Sequence, residues 1–217
     1  MRNYFRFAVY LVLMVCFSAA KAGAYEDFFR AVVLDDARTV ENLLQRGFDP
    51  NARDEKGQAA LYLSQREGAF KVAEVLLANP QTRVDLVNAA GETALMMTAL
   101  RGHSAWIERL IGRGARVEGG AEGTSPGWTP LHYACAGPEV KAVQLLLTRG
   151  ARIDARSPNG TTPLMMAARY GSEAAVDLLL KQGADARLRN DLNLSAGDFA
   201  QQAGRESLAA RLMALSP

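Results

Sequence analysis

Apolar residues in this chain gather into paired short segments, separated by glycine and by polar turns, and the pair recurs along most of its length. The clearest pair lies between Gly127 and Asp154. Leu131, Ala134 and Cys135 give its first segment one apolar side, with small residues where neighbouring elements must come close. That spacing predicts a short amphipathic helix. Thr129 supplies its N-cap, and Pro130 fits the first helical position because its missing N–H would go unpaired there anyway. Gly137-Pro138 breaks the segment. Val140, Val143, Leu145, Leu146 and Leu147 then predict a second helix, apolar over too wide an arc to face water alone. Gly150 should end it by taking the left-handed conformation. The next unit repeats this layout: Thr162-Pro163-Leu164, Ala167-Ala168, Gly171, then Val176, Leu178, Leu179, Leu180 and Gly183.

The layout has a period. Gly57, Gly91, Gly127 and Gly160 each open a phrase Gly-x-[Thr/Ala]-[Pro/Ala]-Leu at intervals of 34, 36 and 33 residues, and a degenerate copy starts at Asn193, 33 further on. Gly47, Asn79, Gly114, Gly150 and Gly183 keep the same beat after the second segments. Such a period predicts a stack of small supersecondary units rather than one globular core. The earlier copies are looser. Thr93-Ala94-Leu95 keeps the cap and loses the proline, while Ala59-Ala60-Leu61 also loses the capping hydroxyl and should start a weaker helix. Asn79 is expected to replace glycine in the left-handed conformation, with Pro80 forbidding continuation.

The phrase Gly127-Trp128-Thr129-Pro130-Leu131-His132-Tyr133-Ala134 resembles the signature of the ankyrin repeat. Gly102-His103, the leucine triplets at 145–147 and 178–180, and the Gly-Ala pairs at 150–151 and 183–184 match in phase. The resemblance runs from about Tyr25 to Met213. It implies an all-α repeat fold, an ankyrin solenoid of stacked helix–turn–helix units with short β-hairpin loops. On that frame residues 25–52 form an N-terminal capping repeat, and residues 53–87, 88–123, 124–156 and 157–188 form four central repeats. Residues 189–217 form a C-terminal capping repeat, in which Gly197 replaces the usual Leu and places the first helix in doubt. The long interval before Gly127 implies an inserted loop near 119–125.

Residues 1–22 read as a signal peptide. Arg2 and Arg6 are basic, Phe7 to Ala20 is nearly unbroken apolar, and Ala20-Lys21-Ala22 offers a cleavage point at Ala22. Ala22-Gly23-Ala24 is a second option. The apolar run falls short of the roughly 20 residues of a membrane span, so no stable membrane insertion is expected after cleavage. Bulky Val15 argues against Cys16 as a lipidation site. The chain carries 25 basic and 23 acidic residues, but Arg2, Arg6 and Lys21 would leave with the signal, turning a formal +2 into −1. A near-neutral mature chain has no electrostatic footprint for nucleic acid. Only Cys135 survives cleavage, so no intrachain disulfide can form.

Little in the sequence points to catalysis. Gly123-Thr124-Ser125-Pro126-Gly127 matches G-x-S-x-G, but a nucleophile elbow needs a strand before it and a helix directly after. Here the match falls in a glycine-rich loop, so a serine hydrolase using Ser125 is a remote reading. His103 and His132 are the chain's two histidines. The resemblance gives them the role of pinning turns and helix ends, and they are too few for a metal centre. Cys135 reads as inert packing. The two sequons, at Asn159 and Asn193, fall in turns that want asparagine for its shape. No catalytic residue, metal ligand or cofactor is assigned.

The resemblance places variable side chains of the first helices along a concave groove. On this chain they are Leu63, Arg66 and Glu67; Met97, Leu100 and Arg101; Tyr133 and Ala136; and Met166, Arg169 and Tyr170. Exposed Met, Tyr and Arg in one strip, with Trp128 near a hairpin tip, would make a protein-binding surface. Trp106 is expected to pack inside. The expected protein is a monomeric, non-enzymatic interaction module, exported to the periplasm if the source is a Gram-negative bacterium, with an exported protein as partner. The alternative is an effector secreted further, acting on host proteins.

Overall fold

The computed structural model describes residues 23–120 and 127–215. The signal segment with Ala22, and the loop carrying Ser125, lie outside the described residues. Helices follow in pairs: α1 (residues 23–33) and α2 (Ala37–Gln45), α3 (Ala60–Glu67) and α4 (Phe70–Ala78), α5 (Ala94–Arg101) and α6 (Ser104–Gly112). Then come α7 (Pro130–Ala136) and α8 (Val140–Thr148), α9 (Pro163–Tyr170) and α10 (Glu173–Lys181), α11 (Ala196–Gln202) and α12 (Glu206–Ala214). From α3 onward the odd-numbered helices pack on one another in order as one layer, and the even-numbered helices line the other. Buried Leu61, Leu95, Leu131 and Leu164, one per odd helix, run through the layer between them. Val72, Ile107, Val143 and Val176 answer from the even helices.

The sequence places the helix starts. Thr93 and Thr162 accept hydrogen bonds from the backbone N–H groups of Met96 and Met165, as N-caps do. Ser195 does the same for Asp198, whose carboxylate reaches back to the Ser195 N–H at 2.7 Å. Ala59 caps α3 without a side-chain bond, as its chemistry requires.

The turns are more regular than the phrase that announces them. Asp54, Asn88, Ser157 and Asn190 each donate their backbone N–H to the carbonyl four residues on, at 2.9 to 3.0 Å. The side chains of Asp54, Asn88 and Asn190 then accept two backbone N–H groups within the same turn. Gly57, Gly91 and Gly160 sit at positive φ, and Asn193 holds the same place at φ 60. The short loops are held by these turn bonds, and the antiparallel Arg53–Ala59 bridge is the sole strand-like pairing among the described residues. One turn is tied to the next by Asn51, Asp85, Glu118 and Asp154, whose side chains accept the backbone N–H groups of Arg83, Arg116, Arg152 and Asp185.

Two expectations are corrected. Asn79 is extended, at φ −76 and ψ 120, and not left-handed. Pro80 excludes the helical region for the residue before it, and the Asn79 side chain instead accepts the Gln81 N–H at 2.9 Å. Gly197 does not prevent α11, which forms with a full capping box. A β-carbon there would lie 2.7 Å from Met213 Cγ, so α12 occupies the space that leucine fills in other units.

Candidate protein-binding face

The odd helices and the turns that precede them form one continuous face. Three rows of side chains cross it. The turn row holds Gln58, Glu92, Trp128, Thr161 and Leu194, one residue before each cap. The second row holds the fourth residue of each odd helix: Leu63, Met97, Tyr133, Met166 and Phe199. The third row, near the helix ends, holds Arg66 and Glu67, Leu100 and Arg101, Ala136, and Arg169 and Tyr170.

The sequence-selected residues separate into two groups. Leu63 and Met97 are 2% and 8% exposed, which corrects their placement on an exposed surface. Small residues at Ser64, Thr98 and Ala99 let α3 and α5 approach closely, and the two apolar side chains are covered between helices. Tyr133, Met166, Leu100 and Trp128 are half-buried with one side open, and Tyr170 is 58% exposed. The Arg169 guanidinium lies over the Tyr170 ring at 5.3 Å and near the Phe199 ring at 5.9 Å. Arg66 is committed to Glu67 at 2.6 Å and to the Gln58 side chain at 2.7 Å, while Arg101 donates to the Arg66 carbonyl. Trp128 meets the edge of His132 at 5.3 Å. Trp106 is buried as expected and stacks on Phe70 at 5.2 Å.

A polar cluster stands in the middle of this face and was missed by the sequence reading. Tyr62 and Tyr133, from α3 and α7, donate to opposite oxygens of Glu92 at 2.7 and 2.9 Å. Asn88 donates from within the turn at 2.8 Å, so three units converge on one carboxylate. Desolvation works to raise the Glu92 pKa, but the bonds from Asn88, Tyr62 and Tyr133 together outweigh it and hold the carboxyl below its ordinary value. Both phenols are pushed up, by burial first and then by the same carboxylate. The usable signal was positional, since Glu92 is the only charged residue in the turn row.

Cys135 and His132 are committed to structure. Cys135 is fully buried in α7, and burial pushes its thiol up, away from a nucleophilic thiolate. His132 is buried and bonded on both ring nitrogens. Among the described residues no three His, Cys, Asp or Glu side chains gather to hold a metal ion, and no helix is long and apolar enough to cross a membrane.

Stacked helix pairs with capped first helices and a continuous face of side chains define a solenoid built for recognition by surface area. The family description "Ankyrin repeats (3 copies)" matches residues 28–121 and 117–190, and the chain belongs to the ankyrin-repeat family, whose repeats are protein–protein interaction modules. It is 32% identical over 163 residues to the nuclear factor NF-kappa-B p105 subunit of Gallus gallus, covering 74% of this chain and 16% of that protein. It is 31% identical over 163 residues to the B-cell lymphoma 3 protein homolog of Mus musculus, covering 74% of this chain and 36% of that protein. The chain therefore corresponds to a minor part of either relative. Among solved structures it is similar to a chain from the complex of a predatory endopeptidase of Bdellovibrio bacteriovorus with an immunity protein. That likeness has a TM-score of 0.72 and 29% identity, and covers 87% of this chain and 97% of the other.

Proposed function

We propose that this protein is a non-enzymatic binding module, exported across an inner membrane, that holds and restrains an exported enzyme of the peptidase class. The observation that carries this reading is the likeness to a chain of the endopeptidase–immunity protein complex, which extends over nearly the whole of both chains. The N-terminal basic-then-apolar segment supports export to the periplasm. The half-open Tyr133, Met166 and Tyr170, spread across two adjacent units, supply aromatic and methionine anchors of the kind that carry most binding energy at interfaces.

The test is affinity capture from the periplasmic fraction of the source organism with the tagged mature chain. One stoichiometric partner should be recovered, and its hydrolytic activity should fall on addition of the purified chain. A Tyr133→Ala/Met166→Ala/Tyr170→Ala variant, confirmed as folded, should bind that partner at least about a hundredfold more weakly. Recovery of no stoichiometric partner, or equal recovery by the variant, counts against the reading. Mature protein found only in the culture medium would move the assignment to a secreted effector.

A further inference from the structure

Among the described residues, Glu92 stands at the centre of the binding face as a charge without an ion-pair partner. None of the ion pairs among the described residues includes Glu92, and the nearby Arg66 is paired with Glu67 and Arg116 with Asp85. A half-buried carboxylate is costly to keep charged, and this one is kept charged by three neutral donors from three different units. Oε2 receives both Tyr62 and Asn88, which uses its two acceptor positions. Among the described residues Oε1 receives only Tyr133, which leaves one acceptor position on that oxygen. The Tyr62 and Tyr133 hydroxyls hold the carboxylate from both sides along the stack. An anion fixed in this way, on a face lined by tyrosine, tryptophan and methionine, is complementary to a single cationic side chain brought in by another protein.

We propose that Glu92, oriented by Tyr62, Tyr133 and Asn88, receives a lysine or arginine side chain of the partner protein. This deepens the reading of the face as a protein-binding surface and rests on it. The incoming cation replaces water at the remaining Oε1 position and completes an ion pair that the chain leaves open on its own. Because the carboxylate is already ordered, little side-chain entropy is lost when the pair forms, which makes Glu92 a specificity point.

Two experiments test it. In the first, the mature chain labelled with 15N is titrated with the blocked tripeptides Ala-Lys-Ala, Ala-Arg-Ala, Ala-Gln-Ala and Ala-Glu-Ala. The lysine and arginine peptides should give saturable shifts at the backbone amides of Asn88, Glu92 and Tyr133, and the glutamine and glutamate peptides should not. Glu92→Gln should weaken the basic peptides roughly tenfold or more. Equal shifts from the basic and glutamine peptides on the wild-type chain overturn the proposal, and that comparison stands whether or not Glu92→Gln folds. In the second, the captured partner is titrated against wild type and a folded Glu92→Gln chain. A roughly tenfold loss supports the proposal. Unchanged affinity overturns it and leaves the broader binding function standing, whereas failure to capture any partner removes that function and leaves the peptide titration to decide.

Discussion

Both ring nitrogens of His132 are engaged: the Thr129 N–H donates to Nδ1 at 3.1 Å, and Nε2 meets the Thr161 carbonyl at 2.9 Å. A carbonyl only accepts, so the proton sits on Nε2 and the ring is neutral. Burial lowers its pKa to about 4, against a smaller opposing effect from its carbonyl partner. The unfolded chain, with histidine near 6.5, therefore binds a proton more readily than the folded one. The resulting stability is complete above about pH 6.5 and is lost as pH falls towards 4. Between pH 7 and pH 5 unfolding should become easier by about 2 kcal/mol, measured by urea titration. His132→Gln should remove most of that slope. His103, whose pKa burial and Arg101 also lower, retains a part of it in the same direction. At this scale the sequence was a good guide to the capping residues Thr93, Thr162 and Ser195, because capping chemistry is local. It was not a guide to His103, whose Nδ1 is buried without a partner among the described residues and gives α6 no cap. It misplaced Leu63, Met97, Asn79 and Gly197, whose environments come from neighbouring helices, a following proline, or Met213 far along the chain.

Each helix start combines a fixed geometry with a replaceable side chain, and α3 is where the two part. Ala59 has the extended backbone of an N-cap, with ψ 151, yet offers no oxygen to the orphan N–H groups of the first turn. Thr93 and Thr162 are extended too, with ψ 165 and 162, and do offer one. Ala59→Thr should therefore stabilise the protein by about 1 kcal/mol, read as a higher urea midpoint at unchanged slope. A midpoint at or below that of the parent chain would mean that the buried setting of Ala59 rejects the larger side chain. The helices themselves were legible because each carries its own apolar stripe, cap and terminating glycine. The turns were legible only in part. Their glycines were recognised, while the acceptors Asp54, Asn88 and Asn190, and the ties from Asn51, Asp85, Glu118 and Asp154 to the next unit, were passed over. A side chain that bonds across a distance of some 31 to 34 residues has no local pattern to reveal it.

In a stack, each unit is held mainly by the unit on either side, so stability is a chain of interfaces rather than one core. The even helices are cross-linked on their outer side by Arg109–Glu74, Arg149–Glu108 and Arg211–Asp177, but these pairs are substantially exposed and contribute at most about 1 kcal/mol each. The C-terminal end is fastened differently. Arg205, at the start of α12, donates to the carbonyls of Ala167, Ala168 and Gly171 at 2.9 to 3.1 Å, closing the exposed end of α9. One cation thus serves three carbonyls at the C-terminal end of α9, where Ala167 also accepts the Gly171 N–H. Arg205→Ala should cost about 2 kcal/mol, since bonds to a charged donor are the stronger kind. The loss should not spread evenly. Hydrogen exchange should quicken in α9 to α12 and stay near the parent values in α3 and α5, because those helices keep both neighbours. Uniform quickening along the whole chain would show instead that the units unfold as one body. In that case the binding face, which draws on α3, α5, α7 and α9 together, would be lost or kept as a whole.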